Sequence, residues 1–109
     1  MREPDYRIVN PRELKARLGA TDRPVLLDVR ERWEFERASI EGSELIPMSE
    51  LERRFSELDP AAETVVICHH GLRSAYVTQA LQRAGFSNVS NLERGLDAYA
   101  DVDGSVPRY

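Results

Sequence analysis

The sequence predicts an α/β domain spanning residues 1–109, with a five-stranded, mainly parallel sheet and helices on both faces. Its 109 residues lie in the usual range for one domain, and 41% hydrophobic with 31% charged residues suffice for one core and a solvated surface. Short apolar runs alternate with helical patterns along the whole chain, which is typical of α/β proteins. Two of these runs, residues 25–29 and 64–68, are almost entirely apolar, as expected of strands covered on both faces.

The first predicted helix carries a complete set of start and stop signals. Asn10 is placed as its N-cap, Pro11 occupies the first helical position, and Glu13 completes a capping box. Two leucines four residues apart then form one apolar face, and Gly19 marks the end of the helix. A short strand at residues 8–9 precedes this helix.

The remaining elements continue the alternation. Further strands are predicted at residues 25–29, 45–46, 64–68 and 88–92. Further helices are predicted at residues 31–38, 49–58, 73–84 and 96–100. Ser49 and Glu52 form a second capping-box pattern, at the start of the helix 49–58. Right-handed crossovers between parallel strands place helices on both faces, and ligands of such sheets bind beyond the carboxyl ends of the strands.

Composition and charge exclude several classes of function. A formal charge of −4 and a pI near 5.2 argue against a nucleic-acid partner held by its phosphates. No apolar run is long enough for a membrane span, and the first residues lack the apolar core of a secretory signal. The single cysteine, Cys68, excludes an intramolecular disulfide and favours a reducing, cytoplasmic location.

One segment differs in charge from the rest of the chain. Residues 64–92 contain no Asp or Glu, but they hold Arg73, Arg83, the only cysteine and both histidines. The segment is interpreted as the buried centre of the domain, as a site for an anion, or as both.

The candidate site follows the strongest predicted strand and leads into the strongest predicted helix. It consists of Cys68, His69, His70, Gly71, Leu72, Arg73 and Ser74. A short loop that curls into a helix N-terminus turns backbone N–H groups inward, and the helix dipole adds positive charge at the same point. A thiol placed there is expected to ionise readily, and the thiolate is the nucleophilic form. Gly71 can adopt the left-handed or otherwise strained conformation that a tight loop requires. Arg73 can reach back to the loop or to a nearby carboxylate with two hydrogen bonds from its guanidinium.

Other interpretations of the same residues remain open. Cys68 could be an inert core thiol, because free cysteine is among the most buried residue types. A metal site is not predicted, because three adjacent side chains cannot occupy tetrahedral positions around one ion. A Cys–His catalytic pair is poorly supported, since a neighbour in sequence is badly placed to orient the nucleophile. His69 and His70 are expected to face solvent at the mouth of the loop.

The chain resembles the single-domain rhodanese-like sulfurtransferases from about Tyr6 to Tyr109. The motifs that carry the resemblance are VLLDVRERWEF at 25–35, SIEGSELIP at 39–47, CHHGLRS at 68–74, GFSNVSNL at 85–92 and RGLDAY at 94–99. The chain departs from the family pattern where Ser39 replaces a histidine, Ser43 an alanine, Arg94 a glycine and Tyr99 a tryptophan. The last two differences affect the expected local packing, not the expected chemistry.

The resemblance implies a persulfide mechanism without cofactor or metal. Cys68 would attack the outer sulfur of a small donor such as thiosulfate, and the bound sulfur would pass to cyanide or a thiol, with thioredoxin or a sulfur-carrier protein as further candidates. Backbone amides from His69 to Ser74 would surround the terminal sulfur. By the same analogy Asp28 and Arg73 brace the loop, and Arg30 lies nearby as a structural or anion-facing group. A plain ion pair between Asp28 and Arg30 is the alternative.

Loop length and the C-terminal tail bear on the choice of function. Phosphatases of the cell-division type share the fold but have Cys-x5-Arg, whereas Cys68 and Arg73 give Cys-x4-Arg, so phosphatase or arsenate reductase activity is the weaker interpretation. A non-catalytic interaction module or a persulfide carrier that serves a protein partner is the alternative. Residues 101–109 are similar to the ends of rhodanese domains fused to adenylating enzymes of cofactor biosynthesis.

Overall fold

The computed structural model describes residues 6–109, which form a five-stranded sheet with the strand order β1-β5-β4-β2-β3. The strands are β1 (Arg7–Val9), β2 (Val25–Asp28), β3 (Glu44–Leu45), β4 (Thr64–Ile67) and β5 (Val89–Leu92). The helices are α1 (Pro11–Leu18), α2 (Arg32–Arg37), α3 (Leu51–Arg54), α4 (Leu72–Arg83) and α5 (Gly95–Tyr99). All neighbouring strands pair in parallel, so the predicted α/β class and the five-stranded parallel sheet are confirmed.

Alternate side chains of the central strands enter two separate apolar layers. On β4, Val65 and Ile67 pack on the face that α1 and α5 cover, and Val66 packs on the face that α3 and α4 cover. Leu26 and Leu27 divide in the same way on β2. Both faces of these strands are buried under helices, which explains why their apolar runs are continuous.

The N-terminal cap of α1 is confirmed, and the capping box predicted at Ser49 is wrong. The Asn10 Oδ1 accepts a hydrogen bond of 2.9 Å from the Glu13 amide, and the Glu13 carboxylate accepts one from the Asn10 amide. In the second segment a 3-10 turn at Met48–Glu50 precedes α3, and another at Phe55–Glu57 follows it. The turn begins at Pro47, whose carbonyl accepts the Glu50 amide, so Ser49 already lies inside the turn and cannot cap it.

The carboxyl edge of the sheet brings three distant segments together. Asp28 ends β2 opposite Ile67, the last residue of β4, and Asn91 of β5 lies opposite Val66. Cys68 therefore leaves the sheet between the ends of β2 and β5, at the edge where ligands of parallel sheets bind. None of the helices in residues 6–109 has the length and hydropathy that a membrane span requires.

Candidate active site

The Cys68 sulfur lies at the start of α4 and is almost completely buried, with 1% of the residue exposed. Its Sγ accepts hydrogen bonds from the Gly71 amide at 3.1 Å and the Ser74 amide at 3.3 Å. The Ser74 Oγ is also 3.3 Å from Sγ. Because α4 has 12 residues and directs its first amides at this sulfur, negative charge on Sγ or on an atom bound to it meets donors and the positive end of a helix dipole.

Two backbone carbonyls at the start of the loop are bound by the first turn of α5. The amides of Leu96 and Asp97 donate to the carbonyl oxygens of Cys68 and His69, at 2.8 and 3.0 Å. A Cβ on Gly95 would overlap those two carbonyls, so the first turn of α5 can approach this closely only as glycine. Gly71 has φ +91°, and a side chain there would be strained and would press on the backbone of Arg94. Gly71 therefore adopts the left-handed conformation for which glycine is suited.

Arg73 forms its bidentate ion pair with Glu34 of α2. Its two terminal nitrogens lie 2.7 and 2.9 Å from the two carboxylate oxygens. The hydrogen bonds from Arg73 are the main reason that the pKa of Glu34 falls from 4.5 to about 2, and the same contact raises the pKa of Arg73. The Tyr109 hydroxyl also donates to Glu34, at 2.8 Å, and burial is the main cause that raises the pKa of Tyr109 to about 12.

Asp28 and Arg30 form a fully buried ion pair, with both side chains 0% exposed. The Arg30 Nε and a terminal nitrogen donate to the Asp28 carboxylate at 2.8 and 2.7 Å. Burial disfavours the charged form of Arg30, but the hydrogen bonds and charge of Asp28 outweigh it, so the pKa of Arg30 is raised. Arg30 also donates to the carbonyl oxygens of Glu34, inside α2, and of Ala38, the residue that ends this helix.

These contacts specify how Asp28 is connected to the loop. The carboxylate that holds Arg73 belongs to Glu34, and Asp28 holds Arg30. The alternative of an ion pair at the strand end thus describes the contact, although Arg30 anchors the helix that carries Glu34. Asp28 therefore supports the loop only indirectly.

A polar group from β5 lies behind the loop. The Asn91 Oδ1 accepts a hydrogen bond from the Ser74 hydroxyl, and its Nδ2 donates to the Gly71 carbonyl at 3.2 Å. Ser74 is fully buried and Asn91 is 6% exposed. The hydroxyl nearest to the Cys68 sulfur is therefore oriented by a side chain that is distant in sequence.

The two histidines have different surroundings, and the expectation that both face solvent is wrong for His69. The His69 ring is half-buried, with its centroid 4.3 Å from that of Tyr109 and 4.0 Å from that of His70. Burial first, and then the charge of His70, lower the pKa of His69. His70 is exposed, and its Nδ1 lies 3.9 Å from an Asp97 carboxylate oxygen.

A small cavity of about 200 Å³ opens at the sulfur, and its lining residues are Cys68, His69, His70, Leu72 and Arg73. It lies below the range of roughly 300–1,000 Å³ that is usual for drug-sized ligands, so a small anion or a narrow chain fits it better. Leu72, 80% exposed, forms an apolar part of its rim. A larger open groove of about 550 Å³ lies between α1 and α5, away from the thiol.

The fold and the site define an α/β domain with a buried cysteine at a strand end, facing the N-terminus of the next helix. The model of the rhodanese-like domain family matches residues 10–101. The chain belongs to the rhodanese-like domain family.

Solved and curated proteins agree with this assignment. A rhodanese-related protein from Thermoplasma volcanium superposes with a TM-score of 0.81 at 34% identity, over 89% of this chain and 93% of that one. The putative sulfur carrier protein YrkF of Bacillus subtilis is 41% identical over 71 residues, 65% of this chain and 38% of its own length. The probable adenylyltransferase/sulfurtransferase MoeZ of Mycobacterium tuberculosis is 34% identical over 94 residues, 84% of this chain and 24% of its own length. The chain thus spans well under half the length of these two curated relatives.

Sequence reasoning gave no role to three residues around the loop: Glu34, Asn91 and Tyr109. Glu34 carries a local signal, because Glu31 and Glu34 have the spacing of a capping box and the Glu31 amide does donate to the Glu34 carboxylate. Asn91 is a polar residue in a strand buried throughout, which could have marked it as bonded to a specific partner. No local signal distinguishes Tyr109.

Proposed function

We propose that this domain is a sulfurtransferase that carries sulfane sulfur as a persulfide on Cys68. The observation that supports the proposal is the set of donors around the sulfur. The amides of Gly71 and Ser74 converge on Sγ from the loop and the first turn of α4. A negative charge at this place is stabilised without a metal or a cofactor.

The reaction consists of two displacements on sulfur. The Cys68 thiolate attacks the outer sulfur of a donor such as thiosulfate; a new S–S bond forms, the S–S bond of the donor breaks, and sulfite leaves with the electron pair. An acceptor such as cyanide or a thiol then attacks the outer sulfur of the persulfide and releases the Cys68 thiolate. The backbone amides of residues 69–74 surround the terminal sulfur in this mechanism, and Arg73, held by Glu34, keeps the loop in place.

The acceptor is proposed from the size of the cavity and the cysteine count. The sequence has no second cysteine that could receive the sulfur within the chain, so discharge requires an external nucleophile at the rim beside His70 and Leu72. Cyanide, a small thiol, reduced thioredoxin or the thin tail of a sulfur-carrier protein meets this requirement. A reducing compartment such as the cytoplasm would keep the thiol available.

A persulfide carrier is the second candidate function. The name of YrkF, a putative sulfur carrier protein, favours it, as does the name of MoeZ, in which sulfurtransferase and adenylyltransferase are combined. A carrier would form the same persulfide but would transfer it efficiently only to a specific protein partner in sulfur or cofactor metabolism.

Mass spectrometry of the intact protein after incubation with thiosulfate tests the proposal. We expect the mass of one added sulfur on the wild-type protein, located on Cys68 by peptide mapping. Cys68→Ser is the matched control and should gain no sulfur while keeping its fold, which circular dichroism checks. Sulfur transfer from thiosulfate to cyanide by the Ser variant would contradict the mechanism. A loaded wild-type protein that does not turn over with cyanide would favour the carrier.

A further inference from the structure

A chain of side-chain contacts links Asn91 through Ser74 to the Cys68 sulfur. The Ser74 Oγ lies between the two others, at 3.3 Å from the Cys68 Sγ and within hydrogen-bond distance of the Asn91 Oδ1. A serine hydroxyl has a single hydrogen to donate. It can therefore serve the amide oxygen or the sulfur, but not both.

The orientation of the Asn91 amide decides which partner receives that hydrogen. Its Nδ2 donates to the Gly71 carbonyl at 3.2 Å, and a flipped amide would place two acceptor oxygens against each other there. The Oδ1 consequently faces Ser74 and must accept from the hydroxyl. The Ser74 oxygen then presents a lone pair to Cys68, which matches a protonated thiol that donates its S–H.

We propose that Asn91 is a positioning residue that holds the Ser74 hydroxyl hydrogen away from Cys68 and so disfavours the free thiolate relative to both the thiol and the persulfide. The inference rests on the proposed function, in which Cys68 alternates between thiolate and persulfide. When the thiolate attacks the donor, the negative charge moves from Sγ to the outer sulfur. Sγ then no longer needs a donor from Ser74, and the hydroxyl can stay on Asn91. A less stabilised thiolate is also the stronger nucleophile.

Charged and titratable groups around Cys68 come from five parts of the chain. They are Arg73 of α4, Glu34 of α2, His69 and His70 of the loop, Asp97 of α5 and Tyr109. Substitution of Asn91 changes none of these groups. A change in the ionisation of Cys68 that follows such a substitution therefore reports on the hydrogen bonds behind the sulfur.

The test is the pH dependence of alkylation by iodoacetamide, which reads Cys68 alone because the sequence contains one cysteine. In Asn91→Leu the Ser74 hydroxyl is free to donate to the thiolate. We expect the midpoint of the alkylation profile to fall by about one pH unit or more, since a hydrogen bond to a charged group is worth at least that much. In the Ser74→Ala background the same Asn91→Leu substitution should leave the midpoint nearly unchanged.

The double-mutant cycle separates this role from a structural one. Loss of the contact between Asn91 and the Gly71 carbonyl is common to both backgrounds, so its effect on the midpoint cancels. If the Asn91→Leu shift is absent, is upward, or persists at full size without the Ser74 hydroxyl, the proposal is wrong. If the Leu variant does not fold, Asn91→Val, with a side chain suited to a strand, replaces it.

The single variant Ser74→Ala provides a second test of the proposal. With Asn91 in place, the hydroxyl contributes little to the thiolate, so the midpoint should move by less than about half a pH unit. A rise by a full unit would show that the hydroxyl already donates to the sulfur and would overturn the proposal. Alkylation needs no sulfur donor, so this outcome is independent of whether thiosulfate loads Cys68.

Discussion

Glu34→Gln should destabilise the protein at neutral pH and lose this effect in acid. The substitution keeps the shape of the side chain and an oxygen that can accept from the Tyr109 hydroxyl, but it removes the charge that Arg73 binds. The pKa of Glu34 is lowered from 4.5 to about 2, chiefly by the hydrogen bonds from Arg73. At about 1.4 kcal/mol per pH unit, this sets an upper bound of about 3–4 kcal/mol on the stabilisation.

Solvent reduces that bound, because the Arg73 side chain is 38% exposed although that of Glu34 is only 7% exposed. We therefore expect Glu34→Gln to lower the free energy of unfolding by about 1–2 kcal/mol at pH 7. A carboxylate with a lowered folded-state pKa contributes its full stability above the unfolded pKa, and the contribution is lost as the pH falls through the folded value. The difference between wild type and variant should thus be constant above about pH 5 and shrink towards about pH 2.

Urea denaturation followed by circular dichroism at several pH values measures this difference. Glu36→Gln is the control, because Glu36 is an exposed residue of the same helix and its substitution removes the same charge. The control should differ from wild type by no more than about 0.5 kcal/mol at any pH. Equal midpoints for wild type and Glu34→Gln at neutral pH, or a deficit that does not shrink in acid, would refute the reasoning.

Four further predictions concern stability and sulfur chemistry. Asp28→Asn should lower the free energy of unfolding by about 3–5 kcal/mol in urea denaturation, because it leaves Arg30 buried without its counter-charge. A loss no larger than that of Glu36→Gln would contradict this prediction. Arg94→Gly should raise the free energy of unfolding by up to about 1 kcal/mol in thermal denaturation, because Arg94 has φ +58°, a left-handed conformation that strains a residue with a side chain. A destabilised variant would show that the backbone is not strained at Arg94. One residue inserted between Gly71 and Arg73 should slow transfer from thiosulfate to cyanide and admit phosphate-sized groups, because the number of inward amides sets the radius of the loop. Unchanged transfer would show that loop length does not select the substrate. The persulfide should survive gel filtration without reductant and disappear when cyanide, dithiothreitol or reduced thioredoxin is added; equal decay with and without them would point to hydrolysis or dimer formation.

Local pattern was enough to predict the fold class, because its signals are contained in short segments. The apolar runs at residues 25–29 and 64–68 are continuous because helices cover both faces of the sheet, and every predicted strand is present within a residue or two. The cap at Asn10 depends on residues three positions apart, so it too could be predicted. The order of strand, cysteine, loop and helix placed Cys68 at the carboxyl edge for the same reason.

Only the tertiary structure decided which side chains surround the loop. Arg73 could have reached any carboxylate near the edge, and the packing of α2 across the end of the sheet supplies Glu34, 39 residues away in sequence. The register of β5 against β4 sets Asn91 behind Ser74, and the return of the tail places Tyr109 on Glu34 and over the His69 ring. Such partners are separated by 17 to 75 residues. Their contacts follow from strand order and helix packing, which depend on the whole core, whereas a capping box or an apolar run needs only its own few residues.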